Sequence, residues 1–176
     1  IVSSRDLQFV DRSILNKNFN IDRDIGLQLE NTSKIGKEFY LVGNLSISQG
    51  EGRNVHVPGV WGFQYTTKLE LFPFGILPNN EAYISGDQNR HIDPKWAIAA
   101  AYNYNDNAIR TNGNLGNFMV NSTGFHQTDI STLFIDTIFK HKGFSLMAEY
   151  ARRNTDDYNA KEMDGTLALD PNGIST

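Results

Sequence analysis

Phe63-Gln64-Tyr65-Thr66-Thr67-Lys68-Leu69-Glu70-Leu71 is the stretch whose reading decides the fold. Phe63, Tyr65, Leu69 and Leu71, with Thr67 among them, share one parity. Gln64, Thr66, Lys68 and Glu70 share the other. Side chains of an extended chain point alternately to two faces, so this segment makes a strand with one apolar and one charged side. Five further segments carry the same alternation. Ile25, Leu27 and Leu29 oppose Asp24, Gly26, Gln28 and Glu30, and Phe39, Leu41, Gly43, Leu45 and Ile47 oppose Tyr40, Val42, Asn44 and Ser46. Trp96, Ile98, Ala100, Tyr102 and Tyr104 oppose Lys95, three alanines and Asn103. Leu133, Ile135, Thr137 and Phe139 oppose Phe134, Asp136, Ile138 and Lys140; Phe144, Leu146, Ala148 and Tyr150 oppose Ser145, Met147, Glu149 and Ala151. No segment sustains a helical period. The expectation is an all-β, antiparallel protein.

Each alternating segment is about ten residues long, the length a tilted strand needs to cross a bilayer. Short turns at about 31–37 and 141–143 alternate with long loops at about 49–60, 105–128 and 154–176, the asymmetry of an outer-membrane barrel. The link from Pro73 to Pro94 falls on the short-turn side although it is long, so it should fold back against the barrel or its lumen. Phe63, Tyr65, Tyr102, Tyr104 and Tyr150 read as the outer ends of strands, and Phe39, Trp96, Phe139 and Phe144 as the inner ends. Leu41, Leu45, Leu69, Ile98, Leu133, Ile135 and Leu146 lie between. Two aromatic girdles around an aliphatic band are what membrane interfaces produce. Residues 1–176 therefore read as part of a single outer-membrane β-barrel domain. Membrane barrels begin at about eight strands, so about six make a partial set from a larger antiparallel transmembrane β-barrel.

Composition narrows the function classes. The chain has 176 residues, 20% charged and 11% aromatic, too many rings and too little charge bias for disorder. Its net charge of -4 argues against nucleic acid, which selects basic patches. No stretch approaches the roughly 20 apolar residues of a membrane helix. Cysteine is absent, which removes disulfides, thiolate metal sites and cysteine nucleophiles together. His56, His91, His126 and His141 are widely spaced in loops or turns, without the close pairing of a helical zinc motif. Asp156, Asp157, Glu162 and Asp164 form an acidic cluster that suits either surface calcium or a solvated loop. No catalytic set, cofactor or metal is expected.

Parity assigns Asp24, Glu30, Lys68, Glu70, Lys95, Asp136, Lys140, Glu149 and Arg153 to the inward face. Lys68, Lys95, Lys140 and Arg153 are the pore-lining candidates for contact with anions, and Glu30, Glu70, Asp136 and Glu149 the acidic ones. Opposed charges across a wet lumen orient ions. The same residues also suit plain solvation and cross-strand pairing. Arg12 and Arg23 suit pairing with Asp11, Asp22 or Asp24, or a place at a pore mouth.

Motifs in order along the chain carry a resemblance. They are Phe9-Val10-Asp11-Arg12-Ser13, then Arg23-Asp24-Ile25-Gly26-Leu27-Gln28-Leu29, then Lys68-Leu69-Glu70-Leu71-Phe72-Pro73-Phe74-Gly75. Pro94-Lys95-Trp96-Ala97-Ile98-Ala99-Ala100-Ala101-Tyr102 follows, and last Asp136 to Leu146 with Ala148-Glu149-Tyr150. Together these resemble the phosphate-selective porin O and P family. The resemblance implies a trimeric, many-stranded barrel in the outer membrane of a Gram-negative bacterium, whose members carry phosphate through a constriction of arginine and lysine. Parity gives this chain no ladder of inward arginines, because Arg53, Arg90, Arg110, Arg152 and Arg153 fall in loops or at rims. The expected function is passive diffusion of small hydrophilic solutes, including anions such as phosphate, with outer-membrane lipids as surroundings and no bond chemistry. The alternatives are a soluble all-β carbohydrate-binding module stacking sugars on Trp96 and surface tyrosines, and a barrel that serves as an adhesin or enzyme.

Overall fold

A computed structural model describes residues 13–52, 60–157 and 161–162. In chain order its elements are helix α1 (Ile14–Phe19), β1 (Gly26–Lys34), β2 (Tyr40–Ser48), β3 (Gln64–Phe72) and a 3-10 turn (Pro78–Tyr83). There follow β4 (Lys95–Ala108), β5 (Thr111–Asn114), β6 (Met119–Asn121), β7 (Gly124–Phe125), β8 (Thr128–His141), β9 (Phe144–Thr155) and β10 (Lys161–Glu162). The protein is all-β. Six strands form one antiparallel sheet in the order β1-β2-β3-β4-β8-β9, and β10-β6-β7 form a small second one. The large sheet is open: among the described residues β1 and β9 each have one neighbour and do not pair with each other. Among the described residues no helix is long and apolar enough to cross a membrane, which says nothing about strands.

Turn chemistry fixes the register. Lys142 (φ 50°) and Gly143 (φ 90°) make the two-residue β8–β9 turn, where both positions need the left-handed region that glycine adopts without strain. His141 then faces Phe144, and the register runs unbroken to Ile130 opposite Thr155. Three expected boundaries need correction. Asn31, Thr32 and Ser33 pair with Gly43, Val42 and Leu41, so the first turn is 35–39 rather than 31–37. The expected loop 105–128 holds β5, β6 and β7, and β4 continues past a bulge between Asn105 and Ala108. Met119 and Ile130 bury against Ala108 there. The expected loop 154–176 begins one residue before β9 ends, and 161–162 pair with β6. Residues 53–59, 158–160 and 163–176, with Arg53, His56 and Asp164, lie outside the described residues, as do Asp11 and Arg12.

The two faces of the large sheet differ sharply. On one, cross-strand rows such as Leu29–Leu45–Thr67–Tyr102–Leu133 stay uncovered. Leu27 is 83% exposed, Leu29 74% and Leu146 55%. Trp96, Phe139 and Phe144 gather at the β8–β9 turn end, and Tyr65, Tyr102 and Tyr104 at the opposite end. Tyr150 departs from its expected place. It pairs with Ile135, in the row of Leu69 and Ala100, because β9 runs to Thr155 and shifts it toward mid-sheet.

The other face is covered. The segment 73–94 lies across it, packing Leu77 and Ala82 on Phe72, Ala97, Ile138, Tyr40 and Val42. A backbone bond from Gly75 N to Glu38 O ties it to the β1–β2 turn, and one from Lys142 N to His91 O ties it to the β8–β9 turn. Folding back was the expectation for this link, and the apolar patch made by Phe72, Ala97 and Ile138 on an otherwise polar face is the physical reason. Helix α1, capped by Ser13 through Asn16 N, was not foreseen; its six residues are too short to show a period.

Candidate functional site

The sheet, α1 and the segment 73–94 (the inward segment, named for its place over the polar face) together frame a cleft of about 720 Å³ on that face. Its floor is a set of cross-strand rows. Glu30–Asn44–Lys68–Ala101–Phe134 is one, and Gln28–Ser46–Thr66–Asn103 the next. Phe19 to Asp22 form one wall, and Ile76, Leu77, Asn80, Ala82 and Tyr83 the other. The floor is neatly hydrogen-bonded: Gln28 Nε2 donates to Asn44 Oδ1 at 3.0 Å and Asn103 Nδ2 to Thr66 Oγ1 at 2.7 Å.

Of the four cationic candidates, the cleft holds Lys68. Its Nζ stands 2.9 Å from Glu70 Oε1, and the Tyr83 hydroxyl donates to both Glu70 oxygens at 2.8 and 2.9 Å. Burial and this bond to Glu70 push the Tyr83 phenol above its ordinary pKa, so it remains a donor near neutral pH. The other three bases share the face but not the cleft lining. Lys95 Nζ donates to Phe74 O at 2.8 Å, under the start of the inward segment. Lys140, directly opposite Lys95, is 1% exposed and lies in the field of Glu81 and Asp87. Arg153 sits 4.9 Å over the Phe19 ring and donates to Asn112 Oδ1 at 2.7 Å and Asn18 O at 3.3 Å. The expected basic stripe Lys68–Lys95–Lys140 is therefore dispersed, because the segment 73–94 engages Lys95 and lies by buried Lys140, while Phe19 of α1 takes Arg153.

Among the acidic candidates, Glu30, Glu70 and Asp136 line the cleft, and Asp22 on its wall is a fourth carboxylate. Glu149 lines a smaller neighbouring hollow and accepts a bond from Ser13 Oγ at 2.5 Å. Asp24 stands outside the cleft, accepting from Ile25 N at 2.8 Å and Gly50 N at 2.5 Å.

One cluster escaped sequence reasoning. His91 Nδ1 lies 2.6 Å from Asp87 Oδ1 and its Nε2 3.0 Å from Glu81 Oε2. Asp87 also accepts from Gly143 N at 2.7 Å, so the cluster pins the inward segment to the β8–β9 turn. Burial alone would raise the Asp87 carboxyl, but the bonds from His91, Gly143 N and His91 N outweigh it and hold its pKa below the ordinary value. The available signal was the spacing of Asp87 and His91, four residues apart outside any helix. At the opposite rim, Glu51 accepts from Ile109 N at 2.9 Å, and burial pushes its pKa from 4.5 up to about 7. His126 pairs with Asp157 at 3.3 Å, which places one member of the acidic cluster. Among the described residues no group of three or more His, Asp or Glu side chains is placed to hold a metal ion.

No family model, curated protein or solved structure matches this chain. The fold and cleft define a class by themselves: an antiparallel sheet with one largely exposed apolar face and one polar face that floors a cleft.

Proposed function

We propose that this chain is a sector of an outer-membrane β-barrel porin, of the kind it resembles in the phosphate-selective porin O and P family. Small hydrophilic solutes cross passively along the polar face, with no bond made or broken. The apolar face meets lipid in the outer membrane of a Gram-negative bacterium, and the full barrel assembles as the homotrimer that the resemblance implies.

One observation carries this reading: the exposed and the buried residues are inverted. Large aliphatic side chains stand uncovered on one face while lysine and glutamate are buried on the other. In water each uncovered leucine forfeits roughly 1.5–3 kcal/mol of burial, whereas in hydrocarbon the same face is at home and the polar rows need an aqueous interior. The open β1 and β9 edges fit a piece of a larger closed barrel, since unpaired backbone in lipid costs several kcal/mol per group. A sugar-stacking module accounts less well for the apolar face. Aliphatic Leu45 and Leu69 separate the rings, and the Trp96 indole N–H is already bonded to Thr137 Oγ1 at 2.8 Å. Phosphate passage, the finer expectation, draws little support from a wall whose bases are mostly withdrawn.

The test uses the whole protein in detergent and in a planar bilayer. A closed barrel migrates faster before boiling than after, and a porin then gives stepwise conductance in KCl. Heat-insensitive mobility would overturn the barrel, and a heat-modifiable protein that carries no current would leave the adhesin in its place.

A further inference from the structure

Among the described residues lining the cleft, Lys68 is the only base, and its ammonium is held by neighbouring groups. Its ammonium lies 2.9 Å from Glu70 Oε1, 3.5 Å from the Tyr83 hydroxyl and 5.1 Å from the centre of the Tyr83 ring. Glu70 is 5% exposed and receives the Tyr83 hydroxyl on both oxygens, so the carboxylate is fixed where the lysine needs it. A lysine and a carboxylate two residues apart on one strand face, locked by a third group from another segment, act at a distance as a dipole. The field of a dipole fades faster than that of a charge. Glu30 and Asp136 lie on the same floor, Glu30 in the row of Lys68 and Asp136 in the row of Glu70, each two strands away, and neither belongs to a salt bridge among the described residues.

Resting on the pore reading above, we propose that Glu70 and Tyr83 set the charge preference of the passage by holding Lys68 as a neutral pair, so that Glu30 and Asp136 govern the wall and small cations pass in preference to anions. Glu70 and Tyr83 are positioning residues here: they act through Lys68. Tyr83 gives the inward segment a second task beyond filling space, since the segment carries the hydroxyl that completes the clamp. Lys95, Lys140 and Arg153 do not offset the acids, because each is engaged away from the cleft.

The test is the reversal potential of the whole protein in a planar bilayer under a KCl gradient. The wild type is expected on the cation side. Glu70→Gln frees the lysine and should lower the ratio of potassium to chloride permeability by about twofold or more. Adding Lys68→Met to Glu70→Gln should restore the cation preference, a rescue that a merely structural role for Glu70 would not produce. Lys68→Met alone uncovers Glu70 and should move the potential further toward cations. Tyr83→Phe keeps the ring and loses the hydroxyl; it should shift the potential in the direction of Glu70→Gln by less, and it decides the matter if Glu70→Gln fails to insert. Anion preference in the wild type, or unchanged potentials in Glu70→Gln and Tyr83→Phe, would overturn the proposal while leaving the pore intact. A wild type with no conductance is a separate result that removes the pore itself.

Discussion

Leu69 and Glu70 are neighbours on β3, yet they live in opposite environments. Leu69 is 53% exposed among other uncovered aliphatics, while Glu70 is 5% exposed and bonded on both oxygens. A water-soluble sheet would reverse them. The difference teaches that period-two patterning fixes two faces but not their solvents. The solvent is read from what covers each face: among the described residues nothing covers the apolar one, whereas α1 and the segment 73–94 shelter the polar one. In the proposed barrel, hydrocarbon outside and water inside would make both choices favourable at once.

The largest effect expected is on the uncovered face. Leu69→Arg should destabilise the protein folded in lipid vesicles by about 2–4 kcal/mol, the cost of arginine near a bilayer midplane, as measured by urea titration. Thr66→Arg, three residues away on the cleft floor, should cost far less. Equal costs would erase the distinction between the faces.

The covered side is probed through its buried carboxyls. Glu51 is raised by burial from 4.5 to about 7, so its neutral form is the one the fold favours. The stability it lends is full below pH 4.5 and is lost as pH rises through about 7, by at most on the order of 3 kcal/mol. Hydrogen exchange at the Ile109 amide should accelerate across that window beyond its intrinsic pH dependence, and Glu51→Gln should abolish the extra acceleration. Asp87 has the opposite sign. Its pKa is lowered, so the anchor between the inward segment and Gly143 holds above the ordinary carboxylate range and is lost as pH falls through the depressed value. Asp87→Asn should weaken that anchor by about 1.5–3 kcal/mol, the worth of hydrogen bonds to a charged group; faster exchange at the Gly143 amide would register it.

Much of this was legible in the sequence. The strands, their faces and the antiparallel order follow from alternation, since an error of one residue would reverse every side chain. That Lys68, Glu70, Asp136 and Lys140 share one sheet face follows from the same alternation. Which of them remain available was not legible, because that depends on where residues 73–94 and α1 settle. Lys140 has the same parity as Lys68 and nothing local separates them, yet one is sealed under Glu81 and Asp87 while the other reaches the cleft. Tyr83, His91 and Asp87 lie in a segment without a period, so their roles come only from tertiary packing. Tyr150 was misplaced because strand ends are less distinct than strand centres, and β9 extends further than its alternation shows.

The smallest effect expected falls on the aromatic ends of the uncovered face. Tyr102→Ala should cost about 1 kcal/mol in vesicles and almost nothing in detergent, where no sharp interface exists. A larger loss in detergent would mean that the ring packs inside the protein.

The absence of cysteine permits the most direct test. Single cysteines placed in turn from 64 to 72, each carrying a nitroxide, report contact with lipid-dissolved oxygen and with a water-soluble nickel chelate. In vesicles the odd positions should favour oxygen, and the cleft-floor positions 66 and 68 nickel, alternating along the middle of β3. Odd positions reached by nickel as readily as 66 and 68, or shielded from both probes, would contradict a face that meets hydrocarbon.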